Sequence, residues 1–256
     1  MTIRVGVFGA GGRMGSTVCG AVSADADLEL VAAVDPGHVG EQAADGITIA
    51  ASADAMAPAG AEVAVDFTAL DAARANAIWC ADHGVHAVIG TTGFTAADIG
   101  DLTAAFTSSN CLVVPNFAIG AVLMMRFAEL AAPYFETAEV IELHHDAKVD
   151  APSGTAMMTV QRMADASPTW APDPTRHEVV AGARGGLGPA GIRVHSVRLR
   201  GLVAHQEVLL GTAGQSLAIR HDSYDRSSFM PGVVLAVKQI ASRPGFTLGL
   251  DALLGL

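Results

Sequence analysis

The sequence predicts an α/β protein whose first half is a doubly wound parallel sheet. Three observations carry this. Short β-branched apolar runs recur through residues 3–115, alanine-rich segments of helical length separate most of them, and a glycine-rich turn joins the first run to the first helix. Strands that read as continuous apolar runs, alternating with helices, belong to a parallel sheet covered on both faces.

Taken in order, Ile3–Phe8 is the first strand, and the turn "GAGGRMG" leads into a helix over Met14–Ser23. "LELVAAV" (Leu28–Val34) is the second strand and "AEVAVDF" (Ala61–Phe67) the third, followed by a helix over Ala69–Asp82. "VHAVIG" (Val85–Gly90) is the fourth strand, a helix covers Ala96–Ser108, and "CLVVP" (Cys111–Pro115) is the fifth strand.

The glycines stand at Gly9, Gly12 and Gly15, with Gly11 as an addition, a GxxGxxG spacing rather than the commoner GxGxxG. A glycine-rich strand-to-helix turn is useful anywhere, so the spacing alone is weak. Its position strengthens it, because a helix opening directly after the first strand offers free N–H groups and a positive dipole end to a pyrophosphate. Asp35 lies twenty residues past Gly15, at the end of the second strand, where a carboxylate can accept from an adenosine ribose. The plainer alternative for Asp35 is a turn residue before Pro36-Gly37. "GTTGF" (Gly90–Phe94) and "VPNFAIG" (Val114–Gly120) also follow strands, beyond the carboxyl ends where ligands of an open parallel sheet lie. Ordinary turn chemistry is their alternative.

Composition narrows the partners. Apolar residues make up 51% of the chain and charged ones 16%, as in a packed globular protein. A net charge of −11 and a pI near 5.1 argue against nucleic acid or an anionic membrane. No apolar stretch is long enough to span a membrane, and the start lacks the pattern of a secretory signal. Cys19, Cys80 and Cys111 are widely spaced in apolar surroundings, as buried free thiols in a reducing cytosol would be. Thirteen of the fifteen basic residues are arginine, leaving Lys148 and Lys238 as the only lysines. An ammonium is a compact donor whose pKa can be tuned, which arginine's is not.

Lys148 lies inside "IELHHDAKVDAPSGTA" (Ile141–Ala156). "AEVIEL" (Ala138–Leu143) alternates like a strand, so His144 and His145 leave its end on opposite sides. Adjacent strand residues do not easily share one ion, so a zinc site fails on geometry and no metal is expected. Pro152, Ser153, Gly154 and Thr155 read as the start of a helix over Ala156–Ala164, with bare N–H groups suited to a carboxylate. Two histidines at a strand end could equally be exposed caps. Their company of a cation and an anion cradle makes that reading less attractive.

"ELHHDAKVDAPSGTA" resembles the signature of the dihydrodipicolinate reductases (4-hydroxy-tetrahydrodipicolinate reductases) of bacterial lysine and diaminopimelate biosynthesis. The likeness extends to "GVFGAGGRMG", "DFT" (Asp66–Thr68), "GTTG", "PNFAIG", "HSVRLRGLVAHQEVLLG" (His195–Gly211) and "HDSYDRSSFMPGV" (His221–Val233). It implies a Rossmann-type dinucleotide domain over 1–117 with a return segment over 227–256. It also implies an α+β substrate and oligomerisation domain over 118–226, built on a mixed sheet and forming a homotetramer. "IRVHSVRL", "VAHQEVLLG" and "QSLAIRHDS" read as strands of that sheet, and a final helix is expected from about Ser227 to Ala241.

The resemblance further implies a cytoplasmic enzyme that transfers hydride from NADH or NADPH to a cyclic imine dicarboxylate. Carried over by position, His144 is the proton donor and Lys148 the second proton-transfer residue. His145, Lys148, Ser153, Gly154 and Thr155 hold the substrate carboxylates, while Asp150 and Pro152 shape the turn. Gly9, Ala10, Gly11, Gly12, Arg13, Met14, Asp35, Gly90, Thr91, Thr92, Val114, Pro115, Asn116 and Phe117 hold the cofactor. Asp35 favours NADH by repelling a 2′-phosphate and Arg13 can offset that, so use of both is expected with NADH somewhat preferred. A different dehydrogenase sharing only the first domain would lack the HHxxKxDAPSGT stretch, and a dinucleotide sensor would need neither His144 nor Lys148.

Overall fold

The computed structural model describes residues 2–255. In chain order the elements are β1 (Ile3–Phe8), α1 (Arg13–Ala24), β2 (Leu28–Val34), β3 (Val63–Asp66), α2 (Leu70–Asp82), β4 (His86–Ile89), α3 (Ala96–Ala105) and β5 (Cys111–Val113). They continue with α4 (Ile119–Ala131), β6 (Thr137–His144), α5 (Gly154–Ala166), β7 (Gly186–Leu187), β8 (Arg193–Arg198), β9 (Ala204–Thr212) and β10 (Gln215–Ser223). The last are α6 (Met230–Gln239), β11 (Phe246–Leu248) and α7 (Asp251–Leu254). The chain divides into two compact units, residues 1–119 with 229–256, and residues 120–228.

The first unit holds a six-stranded sheet in the order β11-β5-β4-β3-β1-β2, with every pairing parallel. The doubly wound α/β class expected from the alternating runs is borne out. Val5, Val7, Val65, Val88 and Leu112 are fully buried, because a parallel sheet clad on both faces leaves no strand side to water. The strand order reverses between β1 and β3, so a crevice opens beyond Phe8 and Asp66. Asp66 is buried and shapes that end: its carboxylate accepts from the Thr68 N–H and hydroxyl, both at 2.7 Å, and from Asn76 at 2.8 Å.

Two helical expectations are corrected at their ends. α3 stops at Ala105 rather than Ser108, because Phe106 turns into the core with 2% exposure. The expected helix over 227–241 is α6 alone, flanked by single 3-10 turns at Arg226–Phe229 and Ile240–Ser242. The strand β11 and the helix α4 stand outside the sequence-derived elements. α4 is so uniformly apolar, "IGAVLMMRFAELA", that it shows no clean amphipathic stripe.

The second unit holds a five-stranded mixed sheet in the order β10-β9-β6-β8-β7. β6 and β8 are parallel, while the other three pairings are antiparallel. Its two faces differ. Val140, Val194, Val208 and Leu210 are buried on one face, whereas Ile141, His195, Glu207 and Leu209 stay part-exposed on the other.

The glycines of the first turn serve different ends. Gly9 adopts φ +71°, a left-handed conformation that suits glycine. A Cβ on Gly15 would lie 2.0 Å from the Gly9 carbonyl oxygen, so α1 can approach the turn only without a side chain there. Gly20, on the same helix, has open space around it. Gly15→Ala is therefore expected to destabilise by about 1–3 kcal/mol, while Gly20→Ala stabilises by about 0.5–1 kcal/mol. Urea midpoints of the two variants check this.

Candidate active site

The first candidate region surrounds the N-terminus of α1. Gly12 caps it without a side-chain hydrogen bond, and its first turn carries no acidic residue. An anion can therefore meet the backbone N–H groups and the positive end of the helix dipole. Gly11 accommodates His38 closely, since a Cβ there would lie 2.2 Å from the imidazole.

Asp35, just past β2, fills the turn role and also bonds the glycine-rich turn. Its Oδ1 accepts from the Gly37 N–H at 2.9 Å, the turn role, while Oδ2 accepts from the Gly11 N–H at 3.1 Å. His38 Nδ1 lies 3.1 Å from Oδ2. Burial pushes the Asp35 carboxyl up, but these donors outweigh it and leave it below the ordinary 3.8. The ionised group keeps lone pairs for a further donor, so these residues fit the ribose and pyrophosphate of a dinucleotide.

The loops beyond β4 and β5 contribute mainly backbone. Thr91 is buried and its hydroxyl donates to the Thr68 carbonyl at 2.7 Å, whereas Thr92 is exposed. A Cβ on Gly90 would lie 2.1 Å from the Phe67 ring. Val114 and Phe117 are buried, Pro115 is exposed, and Asn116 Oδ1 accepts from the Ala118 N–H at 2.9 Å.

The second candidate region lies at the end of β6, built on a residue outside the set that the motif singles out. Glu142 has no solvent exposure. It points with His144 to one face of β6, two residues apart, and faces Ser196 and Arg198 across the β6–β8 register. Arg198 Nη1 donates to Glu142 Oε2 at 2.9 Å and Nη2 to Oε1 at 2.8 Å. The Ser153 N–H donates to Oε1 at 3.2 Å, and His144 Nδ1 hydrogen-bonds Oε2. Burial pushes the Glu142 carboxyl up, but the Arg198, Ser196 and His144 partners outweigh it and hold the group below the ordinary 4.5. Arg198 Nη2 also donates to the Asp150 carbonyl at 2.6 Å, which anchors the loop after β6.

His144 is mostly buried, and burial pushes its imidazole below the ordinary 6.5. The hydrogen bond to Glu142 opposes that, while Lys148 and Arg198 reinforce it. His145 is exposed, and its carbonyl accepts from the Lys148 N–H at 3.2 Å. Lys148 Nζ is held by both oxygens of Asp150, at 2.7 and 2.8 Å.

α5 begins at Gly154, two residues before the expected Ala156, and runs to Ala166. Its N-terminus is less bare than the sequence suggests. Ser153 is the N-cap, and its hydroxyl accepts from the Ala156 N–H at 3.2 Å while its own N–H serves Glu142. Gly154 and Thr155 open the first turn, which has no acidic residue. His144, Lys148, Ser153, Gly154 and Thr155 all belong to the second unit, and the cofactor candidates Gly9 to Phe117 all belong to the first.

A cavity of about 420 Å³ lies elsewhere in the second unit, against the opposite end of β6. Trp170, Asp173, Arg184 and Arg193 line it, and none of the sequence-derived site residues does. Its charges pair with each other: Asp173 lies 2.9 Å from Arg193 and 3.4 Å from Arg184.

Removing one partner of a buried ion pair leaves the other desolvated and uncompensated. Arg198→Ala should therefore cost about 3 kcal/mol, the low end of the usual range because Arg198 is 20% exposed. Arg200→Ala removes a side chain that is 91% exposed and should stay within about 0.5 kcal/mol of wild type. Denaturant unfolding of both variants makes the comparison.

A family model described as "Dihydrodipicolinate reductase, N-terminus" matches residues 3–117, and one described as "Dihydrodipicolinate reductase, C-terminus" matches residues 120–254. The chain is 52% identical over 263 residues to the 4-hydroxy-tetrahydrodipicolinate reductase of Nocardia farcinica, with 100% of both chains covered. It is 50% identical over 261 residues to that of Cutibacterium acnes, with 99% of each covered. The solved structure of a dipicolinate-bound dihydrodipicolinate reductase from Paenisporosarcina sp. TG-14 matches with a TM-score of 0.89 and 39% identity, covering 98% of this chain and 99% of that one. On these matches the chain belongs to the dihydrodipicolinate reductase family and is a pyridine-nucleotide-dependent oxidoreductase.

Proposed function

We propose that the chain reduces 4-hydroxy-tetrahydrodipicolinate to tetrahydrodipicolinate in diaminopimelate and lysine biosynthesis, with His144 as proton donor. The observation that best supports the role of His144 is the tie between its Nδ1 and the buried Glu142, which leaves Nε2 as the nitrogen able to exchange a proton. A bound nicotinamide supplies hydride to the unsaturated ring carbon. Protonation of the charge that hydride addition leaves is the work assigned to His144.

Lys148 is the second proton-transfer residue and a carboxylate partner. Its bond to Asp150 has to loosen when a substrate carboxylate competes for the ammonium. His145, Ser153, Gly154 and Thr155 complete the carboxylate cradle: the first turn of α5 favours negative charge, and the Ser153 hydroxyl can still donate its proton. Gly9 to Met14, Asp35, Gly90 to Thr92 and Val114 to Phe117 hold the cofactor. Asp35 and Arg13 together support use of NADH and NADPH, with NADH somewhat preferred.

The part-exposed face of the mixed sheet, carrying Ile141, Glu207 and Leu209, supports a homotetramer assembled through that sheet. Among the described residues no helix is long and apolar enough to cross a membrane, and all three cysteines are buried and unpaired. A cytoplasmic location accords with both.

His144→Gln tests the central assignment. It should keep the fold and NADH binding while lowering kcat by ~10²–10⁴-fold, the usual worth of a positioned proton donor. Turnover near wild type in a folded variant would refute the role.

Asp35→Asn tests the cofactor reading. Removing the charge lifts the repulsion of a 2′-phosphate, so the ratio of NADPH to NADH affinity should rise. Calorimetric dissociation constants for both cofactors provide the check, and equal changes for the two would count against Asp35 as the ribose partner.

A further inference from the structure

Resting on the reading of His144 as the acid, the geometry points to Glu142 as a positioning residue that dictates which imidazole nitrogen carries the transferable proton. Arg198 delivers two N–H groups to the carboxylate, and the Ser153 N–H adds a third. Such a set of donors selects an ionised, acceptor-only carboxylate. Its remaining partner, His144 Nδ1, must then be a donor. The neutral ring is therefore the Nδ1–H tautomer, with Nε2 bare. Charging the ring places the added proton on Nε2, and that is the proton it can give away and take back.

The strand register enforces the arrangement. Glu142 stands opposite Ser196 and His144 opposite Arg198 on the parallel β6–β8 pair, so a ladder of backbone bonds holds the carboxylate, its guanidinium clamp and the ring. The charged groups acting on His144 are Glu142 on β6, Arg198 on β8, and Lys148 in the loop, itself neutralised by Asp150. Glu142 favours the charged ring, and Arg198 and Lys148 disfavour it. Loss of the Glu142 charge therefore moves proton release to lower pH and frees the ring to adopt either tautomer.

Imidazole ¹⁵N NMR of the full-length protein, with the His144 signals identified by their loss in His144→Gln, tests this directly. Above its titration, His144 is expected as the Nδ1–H tautomer in wild type and as a mixture in Glu142→Gln. In Glu142→Gln, kcat should fall roughly 10- to 1000-fold with little change in KM. The pH at which kcat/KM declines should also move down. Glu142→Gln leaves Arg198 uncompensated, so Glu142→Gln/Arg198→Met removes both charges together and should show the same tautomer mixing and the same direction of pH shift. An Nε2–H tautomer in wild type, or an unchanged tautomer and pH limb in both variants, overturns the assignment of Glu142. The tautomer is read without turnover. An active His144→Gln enzyme would therefore refute the acid role separately from the tautomer result.

Discussion

The buried carboxylate of Glu142 is the constraint around which the second unit's site is organised. A carboxylate without solvent exposure is tolerable only when charge and hydrogen bonds replace the lost water. Arg198 supplies the charge, and the remaining donors are His144 and the Ser153 N–H. Because Arg198 also binds the Asp150 carbonyl, one ion pair ties together β6, β8, the loop carrying Lys148, and the entry of α5. Replacing such a pair with apolar residues often costs little, so its value here lies in orientation rather than in net stability.

A different kind of constraint governs the first unit. There the chemistry is carried by backbone, and what matters is the absence of side chains. Gly15 lets α1 close on the Gly9 carbonyl, and Gly11 leaves its N–H free to meet Asp35. Asp35 thus serves the turn and still presents an ionised group at the end of β2. The glycine spacing and the acidic residue twenty positions later are two ends of one hydrogen-bonded unit.

Much of this was legible in the chain itself. The parallel sheet could be read because each strand is a short β-branched run with both faces buried, and the motif around His144 is distinctive enough to carry the family. β11 was less legible, since three residues, Phe246–Leu248, make too short a run. Glu142 was hidden for another reason: alternation puts one glutamate of "AEVIEL" on each face of the strand, and a glutamate on either face reads as solvent-facing. Its burial follows from Arg198, 56 residues away, and no local pattern announces a pairing at that distance. The start of α5 is less bare than it looked for a local reason: Ser153 caps it with its own hydroxyl and gives its N–H to Glu142.

The account depends on Glu142 being ionised while buried. The most direct measurement is the ¹³C shift of its side-chain carboxyl, assigned against Glu142→Gln and followed downward from neutral pH. The carboxyl is predicted to be charged at neutral pH and to titrate below the ordinary 4.5, because Arg198 and its other donors outweigh burial. A carboxyl that titrates above 4.5, with burial winning over its partners, would contradict the account.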